Sequence, residues 1–80
     1  MDTTQTARTP DYAAATEALT DAHIRALAAD AKMADDDLMG SMCGSALQGN
    51  PDHRRACAVA IVDGFGEGAD HPVIRAAYGR

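Results

Sequence analysis

Eighty residues make one domain, and a chain this short buries roughly 60–65% of its unfolded surface, so its core is small. Acids outnumber bases twelve to seven, for a formal charge of −5. That balance argues against a nucleic-acid binder that tracks phosphates with a basic stripe, and against an anionic membrane surface as a partner.

Apolar residues are 46% of the chain, but eighteen of them are alanine, against ten Leu, Ile or Val, four Met, one Phe, two Tyr and no Trp. Alanine lets helices approach closely but buries little area per residue, and β-branched and aromatic residues are too scarce for sheets. The start, MDTTQTARTP, has no basic-then-apolar signal, and no run approaches about 18 apolar residues. A cytoplasmic protein with two cysteines reduced by default is expected.

In chain order, residues 1–8 are polar and expected to be a disordered tail, and 9–80 a single helical domain. Thr9-Pro10-Asp11 is a helix-start signal, with the Thr9 hydroxyl as cap, Pro10 in the first turn and then an acid, opening DYAAATEA. Thr20 is a second cap, flanked by Leu19 and Ile24 at hydrophobic-staple spacing. The helix from Asp21 to about Met33 presents Ile24, Leu27, Ala28 and Ala31 on one stripe. The apolar stripes before and after Thr20 point in different directions, which favours a break there over one long helix.

Asp35 then caps the next helix, with Asp36 and Asp37 in its first turn, where the exposed amides and helix dipole favour negative charge by about 0.3–1 kcal/mol each. Leu38, Met39, Met42, Cys43, Ala46 and Leu47 fill one half of this helix, and Gly40, Ser41, Gly44, Ser45 and Gln48 the other. Gly49 is its C-terminal stop and Asn50-Pro51-Asp52 restarts a helix running to about Val62. The short turn predicts an antiparallel hairpin. Cys43 and Cys57, each seven residues from Asn50, should meet across it. DGFGEGAD, 63–70, reads as a loop. Asp70 caps a last helix, His71 to Tyr78, ended by Gly79. The expected fold is all-α: a small bundle of three to four short helices with a central antiparallel helical hairpin.

No catalytic motif stands out. Cys43, His53 and Cys57, completed by His71 or His23, have metal-binding residue types, but no Cys-x-x-Cys anchor exists and both cysteines sit among apolar neighbours. Buried thiols are expected rather than a metal, with a disulfide open if the Cα atoms come within about 4.4–6.8 Å. Neither thiol has a convincing activating base. GFGEG lacks the Lys and the Ser or Thr of a phosphate loop, and its acids would repel phosphate. The aspartate run lacks the alternating spacing of a calcium loop. No enzyme, no metal and no cofactor is expected. A helix-turn-helix DNA binder using Arg54 and Arg55 is the alternative, against the charge balance and the apolar second helix.

What remains is acidic surface. Asp30, Asp35, Asp36, Asp37 and Asp52 crowd one segment, and Asp63, Glu67 and Asp70 another. Capping and solvation account for part of this. Carboxylates in a line can also compete with DNA phosphates, spaced about 3.4 Å per strand, for Lys and Arg side chains of a partner. The candidate partner-binding residues are Asp35, Asp36, Asp37, Gly40, Ser41, Asp52 and Glu67. The Gly40–Gly44 face also permits close approach of a second copy, so a homodimer is an alternative.

LTDAHIRALAADA, then DLMGSMCGSAL, then GNPDHRRACAVAI, spanning about residues 19 to 64, resemble small helical proteins carried by phages and mobile elements of GC-rich bacteria. In size, charge and lack of motifs the chain is similar to anti-CRISPR proteins. The resemblance implies a non-enzymatic inhibitor that blocks a host nucleic-acid-targeting complex, such as a CRISPR effector, by occupying its basic groove, with no direct contact to nucleic acid or membrane.

Overall fold

A computed structural model describes residues 9–79. The expected tail at 1–8 lies outside the described residues. The fold is all-helical: α1 (Tyr12–Ala18), α2 (Asp21–Met33), α3 (Asp37–Leu47), α4 (Pro51–Phe65) and α5 (Pro72–Ala77). Among the described residues five helices stand where three or four were expected, because each short end segment has its own cap. Thr20 ends any continuity between α1 and α2, and His71 with Pro72 starts a six-residue α5. None of these helices is long and apolar enough to cross a membrane.

The caps show how local chemistry places the breaks. Asp11, not Thr9, caps α1, its carboxylate accepting the Ala14 N–H at 3.0 Å. Thr20 caps α2, and the reciprocal bond comes from an imidazole: His23 Nδ1 accepts the Thr20 N–H at 3.1 Å. A capping box normally places Glu or Gln at that position, so His23 carried no such signal. Leu19 and Ile24, the staple pair, both lie in the core.

The α2–α3 corner revises the role of the aspartates. Asp36, not Asp35, caps α3, accepting the Met39 N–H at 3.0 Å. Asp35 sits at φ 56°, the left-handed region. Its N–H bonds to Lys32 O at 3.2 Å and that of Asp36 to Ala31 O at 2.8 Å. That pair of bonds is the Schellman end of α2, where glycine is the usual residue. Asp36 thus ends one helix and starts the next. An L-residue in this conformation costs roughly 1–2 kcal/mol, and glycine returns about half in backbone entropy. Asp35→Gly is therefore expected to stabilise the fold by about 0.5–1 kcal/mol, read as a rise of roughly 2–8 °C in Tm. The same two-bond ending at Gly49, φ 103°, closes α3 as the sequence predicts.

α4 is three residues longer than expected. Asp63, Gly64 and Phe65 continue the helix, and Gly66 at φ 85° ends it. Asp63 is held by the Tyr12 hydroxyl, which donates to its Oδ1 at 2.8 Å; this bond, with smaller contributions from burial and the Asp63 charge, raises the Tyr12 pKa. Asp70 does not cap α5. His71 does, its Nδ1 accepting the Val73 N–H at 3.1 Å, while Asp70 pairs with Arg75.

α4 is the hub and packs against all four other helices. Its Cys57, Ala58, Ile61 and Val62 meet Ala15, Leu19, Ile24, Cys43, Ala46, Val73, Ile74 and Ala77 in one core. α1 packs against α5 as well as α4, and the Asp11 N–H bonds to Ala77 O at 2.7 Å. α2 reaches the bundle chiefly through α3. Cys43 and Cys57 are fully buried free thiols whose sulfurs share a hydrogen bond at 3.9 Å, so the two cysteines meet as expected.

Candidate functional site

Three surroundings hold the chemistry-bearing residues. The first is the acidic corner. Asp35, Asp36 and Asp37 are all exposed. Asp37, Gly40, Ser41 and Gly44 follow one another at helical spacing along one stripe of α3. Among the described residues, nothing outside the helix's own backbone lies within 4 Å of where a Cβ on Gly40 or Gly44 would stand. Met33 (86% exposed) and Leu38 (74% exposed) flank the corner. Leu38 was expected on the packed half of α3, but in the first turn no helix covers it. Asp52 lies just beyond the other end of α3, which at 1.5 Å rise per residue is about 16 Å away. Glu67 lies half-buried past the end of α4. The structure places Asp35, Asp36, Asp37, Gly40 and Ser41 along one corner and the first turns of α3, with Asp52 beyond the opposite end of that helix.

The second is Arg54. Its Nη1 donates to Asp21 Oδ1 at 3.0 Å and to Ala46 O at 3.3 Å, and its Nη2 to Leu19 O at 3.4 Å. One guanidinium closes the C-terminal ends of α1 and α3. It is therefore committed within the fold, and only Arg55 of the pair is exposed. The helix that carries them is the buried hub, which leaves it poorly shaped to enter a DNA groove.

The third is a pocket that sequence patterning missed. His23, Ala26, Leu27 and Asp30 of α2, Ile61 and Phe65 of α4, and His71 line a cavity of about 220 Å³. The His23 and His71 rings lie 4.8 Å apart, and Phe65 stacks on His71 at 6.0 Å with planes 18° apart. Both Nδ1 atoms accept backbone N–H bonds, so the ring proton of each neutral imidazole sits on Nε2. Neither Nε2 then offers a lone pair to a metal. Among the described residues no group of three or more His, Cys, Asp or Glu side chains is arranged to hold a metal ion.

Burial, then the His23 ring and the Arg75 charge, lower the His71 pKa below its ordinary value. A lowered folded-state value means that stability from His71 is complete above about pH 6.5 and is lost as the pH falls from there. Tm is expected to decline on acidification below about pH 6.5, and His71→Asn, which keeps a side-chain acceptor for the Val73 N–H but takes no proton, should flatten that part of the decline.

The thiols are sealed. Burial, reinforced by Cys43, pushes Cys57 up to about 11, away from the thiolate that nucleophilic or redox chemistry needs.

The chain matches no protein-family model, no curated protein and no solved structure.

Proposed function

We propose that this is a non-enzymatic protein-binding inhibitor, acting in the bacterial cytoplasm, whose α2–α3 corner engages a basic surface that otherwise holds nucleic acid. Its target in this reading is a host nucleic-acid-targeting complex of the CRISPR effector kind. The observation that carries it is the pairing of exposed Asp35, Asp36 and Asp37 with a bare Gly40–Ser41–Gly44 stripe. Each interior glycine costs about 1 kcal/mol relative to alanine, and no described residue outside the helix approaches closely enough to require it. A partner backbone lying along the stripe supplies the missing reason. Exposed Met33 and Leu38 add apolar area beside the charges, as a protein interface needs.

The surface stands on the α2–α3 corner, and α3 with α4 forms the central antiparallel hairpin behind it. The Cys43–Cys57 and Ala46–Arg54 contacts, which run in opposite directions along the two helices, support that arrangement. Asp52 is an outer contact in this picture, since it lies beyond the far end of α3, and Glu67, just past α4, belongs to the same acidic face.

The test is capture from a bacterial lysate on immobilised protein, with identification of what is retained and competition by a short DNA duplex. A retained nucleic-acid-binding protein, released by duplex and by salt, is expected. Asp36→Ser with Asp37→Lys keeps a side-chain cap while reducing the charge, and should weaken binding about tenfold at low salt. A retained partner indifferent to both duplex and the substitutions would overturn the proposal.

A further inference from the structure

We infer that the pocket between α2 and α4 receives an arginine side chain of that same basic partner. The inference rests on the proposed function for its partner and on the pocket for its chemistry.

The pocket has the three parts that arginine recognition uses. Ala26, Leu27 and Ile61 give an apolar wall for the methylene stem. Phe65, stacked on His71 with planes 18° apart, gives a flat aromatic pair on which a planar guanidinium can lie. Asp30 gives a carboxylate, which a guanidinium can engage through two parallel N–H bonds. Phe65 is 60% exposed and no helix covers it, although the core is short of large side chains.

The local charges agree. His71 is held towards its neutral form, so it does not repel a cation at neutral pH. Arg75, whose charge reaches His71, is already paired with Asp70. The pocket is also continuous with the corner. His23, Ala26, Leu27 and Asp30 run along one face of α2 at helical spacing, and Met33 and Ala34 carry that face to Asp35. A basic partner seated on the aspartates thus has an entrance one helical turn away. Lysine fits less well, because its compact ammonium neither stacks on a ring pair nor pairs bidentately with a carboxylate.

The experiment is an NMR titration of the intact chain with N-acetyl-arginine amide, beside N-acetyl-lysine amide and the neutral isostere N-acetyl-citrulline amide. The expected result is saturable shifts at His23, Leu27, Ile61 and His71 with arginine in the millimolar range, and at least threefold weaker binding of the other two. Asp30→Asn and Phe65→Ala change exposed side chains, so the fold is kept, and each should cut arginine binding by threefold or more. As the pH falls through and below the ordinary histidine range and His71 gains charge, binding should fall. Shifts confined to Asp35, Asp36 and Asp37, no saturation, or equal binding of citrulline would each overturn the inference. The two proposals fail separately: a duplex-competed partner with an arginine-blind pocket removes only this one, and a saturable arginine site with no such partner removes only the function.

Discussion

Replacing Ile24 with alanine is expected to lower Tm by roughly 12–24 °C, the largest change any single truncation in the first half of the chain should produce. Ile24 is fully buried, and only Ile74 matches it in size among the completely enclosed side chains. Ile→Ala in a core costs about 2–5 kcal/mol, from lost transfer energy plus the cavity left behind. A middle value of about 3 kcal/mol converts to that Tm range at 4–8 °C per kcal/mol for a domain of this size. Alanine is the better helix former, by less than about 0.7 kcal/mol, so propensity offsets little. The loss is large against the roughly 4–12 kcal/mol that 80 residues ordinarily hold. Ile24 also closes the staple with Leu19, so the start of α2 frays with the core. The contrast is Leu38→Ala, at a 74% exposed position, which should stay within about 0.5 kcal/mol. Thermal unfolding followed by circular dichroism checks both, and equal losses at the two sites would contradict the packing described.

Arg54→Ala should cost about 1–3 kcal/mol and show no compensating change at exposed Arg55. Three acceptors share the Arg54 guanidinium: Asp21 Oδ1, Ala46 O and Leu19 O, at 3.0, 3.3 and 3.4 Å. Asp21 is half-exposed, and water replaces the arginine there, so the ion pair itself contributes little. The two carbonyls decide the magnitude. They belong to the last turns of α1 and α3, in part-buried surroundings, and losing a donor there leaves them under-satisfied. Most of the loss should therefore survive 1 M salt, which screens the Asp21 pair and leaves the carbonyls' need unchanged. Arg54→Lys should recover only part of it, since one ammonium cannot serve three acceptors spread across two helix ends. Urea unfolding of both variants at low and high salt tests this. A loss that vanishes in salt would mean that the ion pair dominates. Arg55→Ala should fall within about 0.5 kcal/mol.

The legible parts of the fold were those that local chemistry determines. Thr20, Asn50 with Pro51, Gly49 and Gly79 each specify a backbone conformation through a hydroxyl, an amide, a ring or a missing Cβ, and each stands where its chemistry predicts. The Cys43–Cys57 contact was legible for a related reason: a short turn with apolar stripes on both sides ties two positions together by counting. The misplaced caps have a common cause. Runs such as Asp35-Asp36-Asp37 and Asp70-His71 offer neighbouring side chains that all can cap, and the backbone chooses by a residue. That choice moved Asp35 from a cap to a left-handed helix stop. It also gave the α5 cap to His71, freeing Asp70 for Arg75. The DGF segment was taken for loop because of its glycines, whereas the Tyr12 hydroxyl, 51 positions away, holds Asp63 in the helix.

Of the candidate site, the sequence by itself determined the carboxylates of the corner and the glycine stripe beside them, because net charge and helical spacing are properties of the chain. It also determined the helical class, since alanine dominance and the lack of β-branched residues leave no material for sheets. Only the tertiary structure decided which charges are available and which are committed. It tied Arg54 to two helix ends, separated Asp52 from the corner by the length of α3, and left Leu38 uncovered. It alone assembled His23 and Asp30 with Phe65 and His71, which come from two distant stretches, around one pocket. Its α2 half has helical spacing, but nothing in the sequence joins that half to Phe65 and His71. The pocket exists because α2 and α5 both pack on α4, and that packing follows from burial of the whole apolar set rather than from any local signal.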